Sequence, residues 1–152
     1  MQRLKLSVPP ALPTSTYVHT VAFYETDGMG IVHHSNHVRF LELARVAFLA
    51  EHDRPYEQYV TDGFHVPVVR VEVAYYRPCR FADAVHITCW LKGARNASLS
   101  FGYRLEVEGQ LAGCAISEHA IVDREGRPVR IPASMAAKID TWLGRRPSTE
   151  AP

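Results

Sequence analysis

Two hydrophobic periodicities follow one another in this chain, and together they leave few folds open to it. In "SNHVRFLELARVAFLAEH", Ser35 to His52, the side chains of Val38, Leu41, Arg45 and Phe48 fall on one helical face, and Phe40, Ala44 and Ala47 widen it. The spacing predicts a helix of about four to five turns, N-capped by Ser35 or Asn36. Neither is followed three residues later by Glu or Gln, so no capping box is expected. From His65 the period drops to two. "HVPVVRVEVAYYRP" sets Val69, Val71 and Val73 on one face, and "DAVHITCWLKGA" sets Val85, Ile87, Cys89 and Leu91 against His86, Thr88, Trp90 and Lys92. "ASLSFGYRLEVEG" and "QLAGCAISEHAIVD" follow as two further strands around a tight turn at Glu108-Gly109.

An earlier strand is expected at "YVHTVAFYE". "RPYEQYVTDGF" reads as a loop with at most one short helical turn, "REGRPVRIP" as a polar turn, and "ASMAAKIDTWLGRR" as a short helix. The order is β-α-β-β-β-β-α. No strand–helix alternation supports a parallel sheet, so the expectation is an α+β domain with an antiparallel sheet. One long helix covers one face of such a sheet; the other face, or an edge, must be polar or meet another subunit. "VHITCW" and "GCAISEHAIV" are apolar on both faces, which favours an oligomer. Residues 1–15, with three prolines, are expected to form a flexible N-terminal segment, 16–144 a single domain and 145–152 a flexible tail.

Composition narrows the function classes. The net charge is +1 and the arginines are scattered, so nothing marks a nucleic-acid footprint. Cys79, Cys89 and Cys114 form no CxxC pair and read as reduced thiols. No apolar run is long enough for a signal peptide or a membrane span. These features point to a cytoplasmic protein without nucleic-acid or membrane partners.

The segment before the long helix carries the chemistry: "ETDGMGIVHHSNHVRFLELAR", residues 25 to 45. His33, His34 and His37 give H-H-x-x-H, and two of them stand four apart, as zinc ligands do. The Glu of an HExxH motif is missing, and the preceding glycines put His33 and His34 at or before the helix start, where that spacing loses its meaning. No metal and no cofactor are expected. A plain reading remains open, in which Gly28 and Gly30 supply positive φ, Asp27 caps a turn and the histidines are solvated. The catalytic alternative is that a helix N-terminus, with free N–H groups and a positive dipole end, faces a carboxylate brought round by the turn. That is an arrangement for acyl transfer or hydrolysis.

The same segment resembles the signature of the 4-hydroxybenzoyl-CoA thioesterase family of hotdog-fold proteins. Tyr24, Glu25, Asp27, Gly30, Ile31, Val32, His33, His34, Asn36, Phe40, Glu42 and Arg45 carry the match, and "PVVRVEVAYYRPCRFAD", Pro67 to Asp83, resembles the family's next strand and turn. The similarity covers roughly residues 17 to 143. It implies a hotdog fold, one long central helix wrapped by a five-stranded antiparallel sheet, assembled as a homodimer or homotetramer with sites at subunit interfaces. It also implies hydrolysis of an acyl-CoA. Asp27 matches the catalytic carboxylate, acting as general base or as nucleophile, and the backbone N–H of His34 matches the donor to the thioester carbonyl. Tyr24, Gly30, His33 and His37 would line the acyl site, and Arg95 and Asn96, in "KGARNAS", match the segment near the pantetheine arm. Lys92, Arg77, Arg80, Arg127 and Arg130 are further candidates for the CoA phosphates. His37 stands where relatives often carry Tyr, and Met29 where they carry a small residue, so the acyl group stays open. A thioesterase acting on a carrier-protein-bound chain and a non-hydrolytic acyl-thioester binding protein remain alternatives.

Overall fold

The computed structural model describes residues 2–145. Met1, the expected tail beyond Arg145 and Arg146 of the expected last helix lie outside the described residues. The elements run β1 (Ser15–Thr20), α1 (His34–His52), α2 (Tyr56–Asp62), β2 (Val68–Tyr75), β3 (Ala84–Arg95), β4 (Ser98–Val107), β5 (Gln110–Ala120) and α3 (Ala133–Trp142). The strands form one antiparallel sheet in the order β1-β3-β4-β5-β2. This is the expected α+β architecture, with the 19-residue α1 laid across the sheet over β1 and β3.

Alternation along the strands builds the core. Val85, Ile87, Cys89 and Leu91 of β3 and Leu99, Phe101, Tyr103 and Leu105 of β4 are buried towards α1. Phe40, Leu41, Ala44, Phe48 and Leu49 of α1 meet them. Each such large side chain, fully buried, contributes about 1.5–3 kcal/mol. Phe48 bridges the layers, edge-on to Phe101 at 5.7 Å and to Trp142 of α3 at 5.5 Å. The β4–β5 hairpin closes at Glu108 and Gly109, both with positive φ, as a two-residue hairpin turn requires.

Several boundaries differ from the sequence reading. β1 ends at Thr20, and Phe23–Glu25 is a 3-10 turn where strand was expected. The cause is Glu25, whose buried carboxylate accepts the Ala22 N–H at 2.8 Å and holds His19 Nε2 at 2.8 and 3.0 Å, drawing the chain round. Residues 56–62 make a two-turn helix, longer than the single turn anticipated. Val69 falls at a register shift between Val68 and Arg70, so only Val71 and Val73 keep the alternation. Residues 2–14 contain no helix or strand but touch the sheet side and the end of α1: the Tyr76 hydroxyl, just after β2, donates to Leu4 O, the Cys114 thiol of β5 to Leu6 O at 3.6 Å, and His52 Nε2 of α1 to Thr14 O at 2.9 Å. Cys114 is on the sheet face away from α1, so part of the second apolar face is met by the chain's own N-terminal segment. All three cysteines are free and buried. No helix among the described residues is long and apolar enough to cross a membrane.

A polar chain runs through the α1 face of β4 and β5. Tyr103 Oη and Ser117 Oγ are 2.7 Å apart, Ser117 Oγ and His119 Nε2 are 2.7 Å apart, and His119 Nδ1 is 3.3 Å from Val66 O. A carbonyl only accepts, so Nδ1 carries the proton and Nε2 accepts from Ser117. Burial, reinforced by the nearby Arg45 charge, pushes His119 down from 6.5 to about 4. Between those values the unfolded chain binds a proton that the folded chain does not, so stability falls as pH drops through this window. The expected loss is on the order of 3 kcal/mol. Urea midpoints at pH 7.5 and pH 4.5 check it: His119→Gln should show a smaller loss than wild type, and equal losses would contradict the assignment.

Candidate active site

The loop between β1 and α1 is shaped by its own backbone. Thr26 and Val32 pair as an isolated antiparallel bridge, the Asp27 N–H donates to Ile31 O at 2.8 Å, and the Gly30 N–H donates to Asp27 O at 2.9 Å. Gly30 has φ +72°, so glycine answers a backbone demand there; a Cβ would meet no atom within 4 Å. Gly28, expected to share that role, does not have a positive φ. Asp27 Oδ1 accepts the Met29 N–H at 2.8 Å, which fixes the carboxylate and leaves Oδ2 without a partner among the described residues.

α1 begins at His34, one residue before the expected start, and its N-cap is His33, not Ser35 or Asn36. His33 Nδ1 accepts the Ser35 N–H at 3.3 Å and lies 2.8 Å from Ser35 Oγ. Asn36 is used elsewhere: its side-chain amide donates to Glu25 O at 2.9 Å, the same carbonyl that accepts the His33 N–H at 2.9 Å. The buried Glu25 therefore seats the helix start against the turn. No acceptor for the His34 N–H is present among the described residues, so the first helical donor is free.

Asp27, Met29, His34, His37, Tyr75 and Arg77 line one open cleft of about 460 Å³. The carboxylate enters from the loop, the free donor from the start of α1, and Tyr75 from the end of β2. The Tyr75 hydroxyl donates to His34 O at 3.0 Å, and its ring stands edge-on to His37 at 4.9 Å. Burial lowers the His37 pKa against the opposing pull of the His34 and His33 carbonyls, so the ring is neutral at neutral pH. Burial also raises the Tyr75 hydroxyl. The arrangement suits attack on a carbonyl whose oxygen rests at the helix start.

Of the residues singled out in the sequence, Asp27, His34 and His37 share this cleft, Gly30 makes its turn and His33 caps its helix. Tyr24 does not line it: the side chain is 81% exposed on the 3-10 turn. Arg95 lines a different cavity, with Val69, Ser98 and Glu118, and the adjacent Asn96 has φ +48° in the β3–β4 turn. On β2, Val69 beside Arg95 and Tyr75 beside Asp27 are six residues, or about 20 Å, apart. A single protomer does not bring Arg95 and Asn96 to Asp27. Tyr75 is the functional candidate that the sequence reading passed over. The signal was there, since Tyr75 continues the Val71–Val73 face, but only the fold puts that face beside the start of α1.

The profile of the Thioesterase-like superfamily matches residues 21–139, the span holding the loop, α1 and all five strands but β1. The chain belongs to this superfamily. It is 33% identical to a putative esterase of Aquifex aeolicus over 76% of this chain and 90% of that one. It is 29% identical to the putative acyl-CoA thioesterase YneP of Bacillus subtilis, over 72% and 81% of the two chains. Among solved structures, a hypothetical protein from Thermus thermophilus superposes with a TM-score of 0.81 at 33% identity, covering 84% of this chain and 98% of its own. A DHNA-CoA thioesterase from Staphylococcus aureus shares the fold, with a TM-score of 0.79 at 20% identity over 86% and 89% of the chains. By family, then, the chain is a thioester hydrolase with the hotdog fold.

Proposed function

We propose that this protein hydrolyses acyl-CoA thioesters, with Asp27 as general base or nucleophile and the His34 N–H as donor to the thioester carbonyl. The carrying observation is that a carboxylate with one free oxygen and an unpartnered helix-start N–H line the same cleft. As base, Asp27 takes a proton from the water that attacks the carbonyl; as nucleophile, it forms an acyl–aspartyl anhydride that water then opens. In both, the carbonyl oxygen becomes negative against the His34 N–H, and the C–S bond breaks to release CoA. Gly30 sets the loop, and His37 with Met29 borders the acyl group. Single-turnover hydrolysis in H2(18)O separates the routes: the base route puts the label in the product acid, whereas an anhydride opened by water at the Asp27 carbonyl puts it in the Asp27 carboxylate and releases unlabelled acid.

The active form in this reading is a dimer, alone or doubled into a tetramer, paired through β2. That edge strand exposes Val68, Val69, Val71 and Tyr75, an unpaired β-branched edge of the kind proteins cover. Two-fold antiparallel pairing of β2 with its copy brings the Val69 end of one protomer to the Tyr75 end of the other. Arg95 and Asn96 then reach the partner's cleft, where a CoA arm needs cationic and polar contacts. A thiol-release assay over a panel of aromatic, short-chain and medium-chain acyl-CoAs tests the activity, and gel filtration tests the assembly. Release of CoA and elution at twice or four times the chain mass are expected. Binding without release from every acyl-CoA would identify a binding protein instead, and a monomer would leave Arg95 and Asn96 without a role in the site.

A further inference from the structure

A second, smaller cavity lies along the same α1–β2 seam as the cleft, and it is polar at its inner end. It measures about 70 Å³, room on the order of two waters or one carboxylate group. Leu41 and Arg45 of α1, Val71 of β2, Tyr103 of β4, and Ser117 and His119 of β5 line it. The residue that makes it unusual is Arg45, which is 3% exposed. Its guanidinium stacks over the Tyr56 ring at 5.7 Å, and Nη2 is 3.9 Å from Glu42, which sits on the outer rim with a 66% exposed side chain. Nη1 is buried with no partner among the described residues. A buried charged donor left unpaired is costly, so something that accepts hydrogen bonds belongs there.

The neighbours do not supply it. Ser117 gives its proton to His119 Nε2 and Tyr103 gives its own to Ser117; both hydroxyl oxygens keep a lone pair, but neither lies within hydrogen-bond reach of Nη1. Among the described residues, Arg45 is the one cationic side chain lining the chamber, and Glu42 lines it from the solvent side. The chamber also stands at a defined distance from the cleft. His37 and Arg45 are eight positions apart on α1, about 12 Å along the axis, and Tyr75 and Val71 are four apart on one face of β2. Val38 and Leu41, which form the apolar wall of the chamber, and Val73, between Val71 and Tyr75 on β2, make the seam apolar. Pairing through the β2 backbone leaves the Val71 side chain on the α1 side, against the chamber.

We propose that this chamber is a distal subsite of the Asp27 cleft, which takes the carboxylate end of a medium-chain dicarboxylic acyl group. The thioester sits at the start of α1, the methylene chain follows the seam, and the far carboxylate meets Arg45 Nη1. The inference rests on the thioesterase reading above and adds the substrate class.

The test compares octanedioyl-CoA with octanoyl-CoA in the thiol-release assay. Wild type is expected to favour the diacid in kcat/KM on the order of 10- to 100-fold, the range for a hydrogen bond to a charged group. Arg45→Met keeps the side-chain stem and removes the charge, and should bring that ratio to near one. A wild-type ratio of one or less overturns the subsite, as does an Arg45→Met ratio equal to wild type. Should circular dichroism show that Arg45→Met does not fold, the wild-type ratio still decides. If wild type releases thiol from no acyl-CoA, the thioesterase reading fails on its own. The subsite is then read by calorimetry: binding of free octanedioate but not octanoate supports it, and equal or absent binding of the two overturns it.

Discussion

Asp27→Asn is expected to lower acyl-CoA turnover by about 10²- to 10⁴-fold, the range for a positioned acid–base group, while leaving the melting temperature close to wild type. The amide oxygen of Asn can still accept the Met29 N–H, so the loop keeps its shape. What it loses is the ability to take a proton or to attack. A variant with wild-type turnover would remove Asp27 from the mechanism. The other half of the site is a backbone atom, and ordinary substitution does not reach it: His34→Ala leaves the N–H in place and should have a small effect. His34→Pro does reach it. His34 is the first residue of α1, where proline is tolerated because its missing N–H has no helical acceptor. His33, with φ −60° and ψ 134°, already has the conformation that a following proline demands. Loss of one such donor costs about 10²- to 10³-fold in kcat. His34→Pro should therefore fall well below His34→Ala at similar stability; equal rates would show that this N–H does not hold the carbonyl.

Asp53→Ala is expected to destabilise the fold by about 3–5 kcal/mol, the cost of breaking a buried charged network by removing one partner. The Asp53 side chain is 3% exposed at the end of α1. Oδ1 accepts from Lys138 of α3 at 2.6 Å, Oδ2 accepts from the Tyr59 hydroxyl of α2, and Arg54 Nε is 3.5 Å away. One carboxylate thus joins three helices. Burial alone would raise its pKa, but the Lys138 and Tyr59 hydrogen bonds and the Lys138 and Arg54 charges outweigh that and hold it below the usual carboxylate value of 3.8. A depressed folded pKa gives stability that is present above the unfolded value and lost as pH falls below it. The network's contribution should persist through the window in which His119 acts and disappear only in stronger acid. Urea unfolding at neutral pH measures the effect. A loss under about 1 kcal/mol, the size for an exposed pair, would mean that the network is solvated.

The two halves of the site were legible to different degrees. The Asp27 loop and the start of α1 are local, within eight residues of each other, and turn chemistry with helical periodicity reaches that far. Their bounds were less secure. Ser35 and Asn36 are better N-caps by type than His33, but Asn36 is drawn to Glu25 O, a contact across eleven residues. Likewise, β1 stops early because Glu25 buries its carboxylate against His19 and Ala22. A buried, partnered glutamate is indistinguishable in sequence from a solvated one. The family resemblance implies a place for Tyr24 at the acyl site; it lies on a 3-10 turn and is 81% exposed.

By itself the sequence determined the local elements: the one long helix, four of the strands after it, the Glu108-Gly109 hairpin and the turn that presents Asp27. Period, turn residues and caps act over a few positions, and that is the range of these features. Only the tertiary structure decided the strand order β1-β3-β4-β5-β2, which makes β2 an edge, puts Tyr75 on the carbonyl of His34, and leaves Arg95 at the far end of the same strand from Asp27. It also decided that Arg45 is buried without a full set of partners. The β1–β3 and β2–β5 pairings and the Tyr75–His34 contact join residues 38 to 74 positions apart, from Tyr75↔Gly113 to Ser15↔Cys89. They follow from how whole faces pack and how the edges are covered, and no local propensity records that.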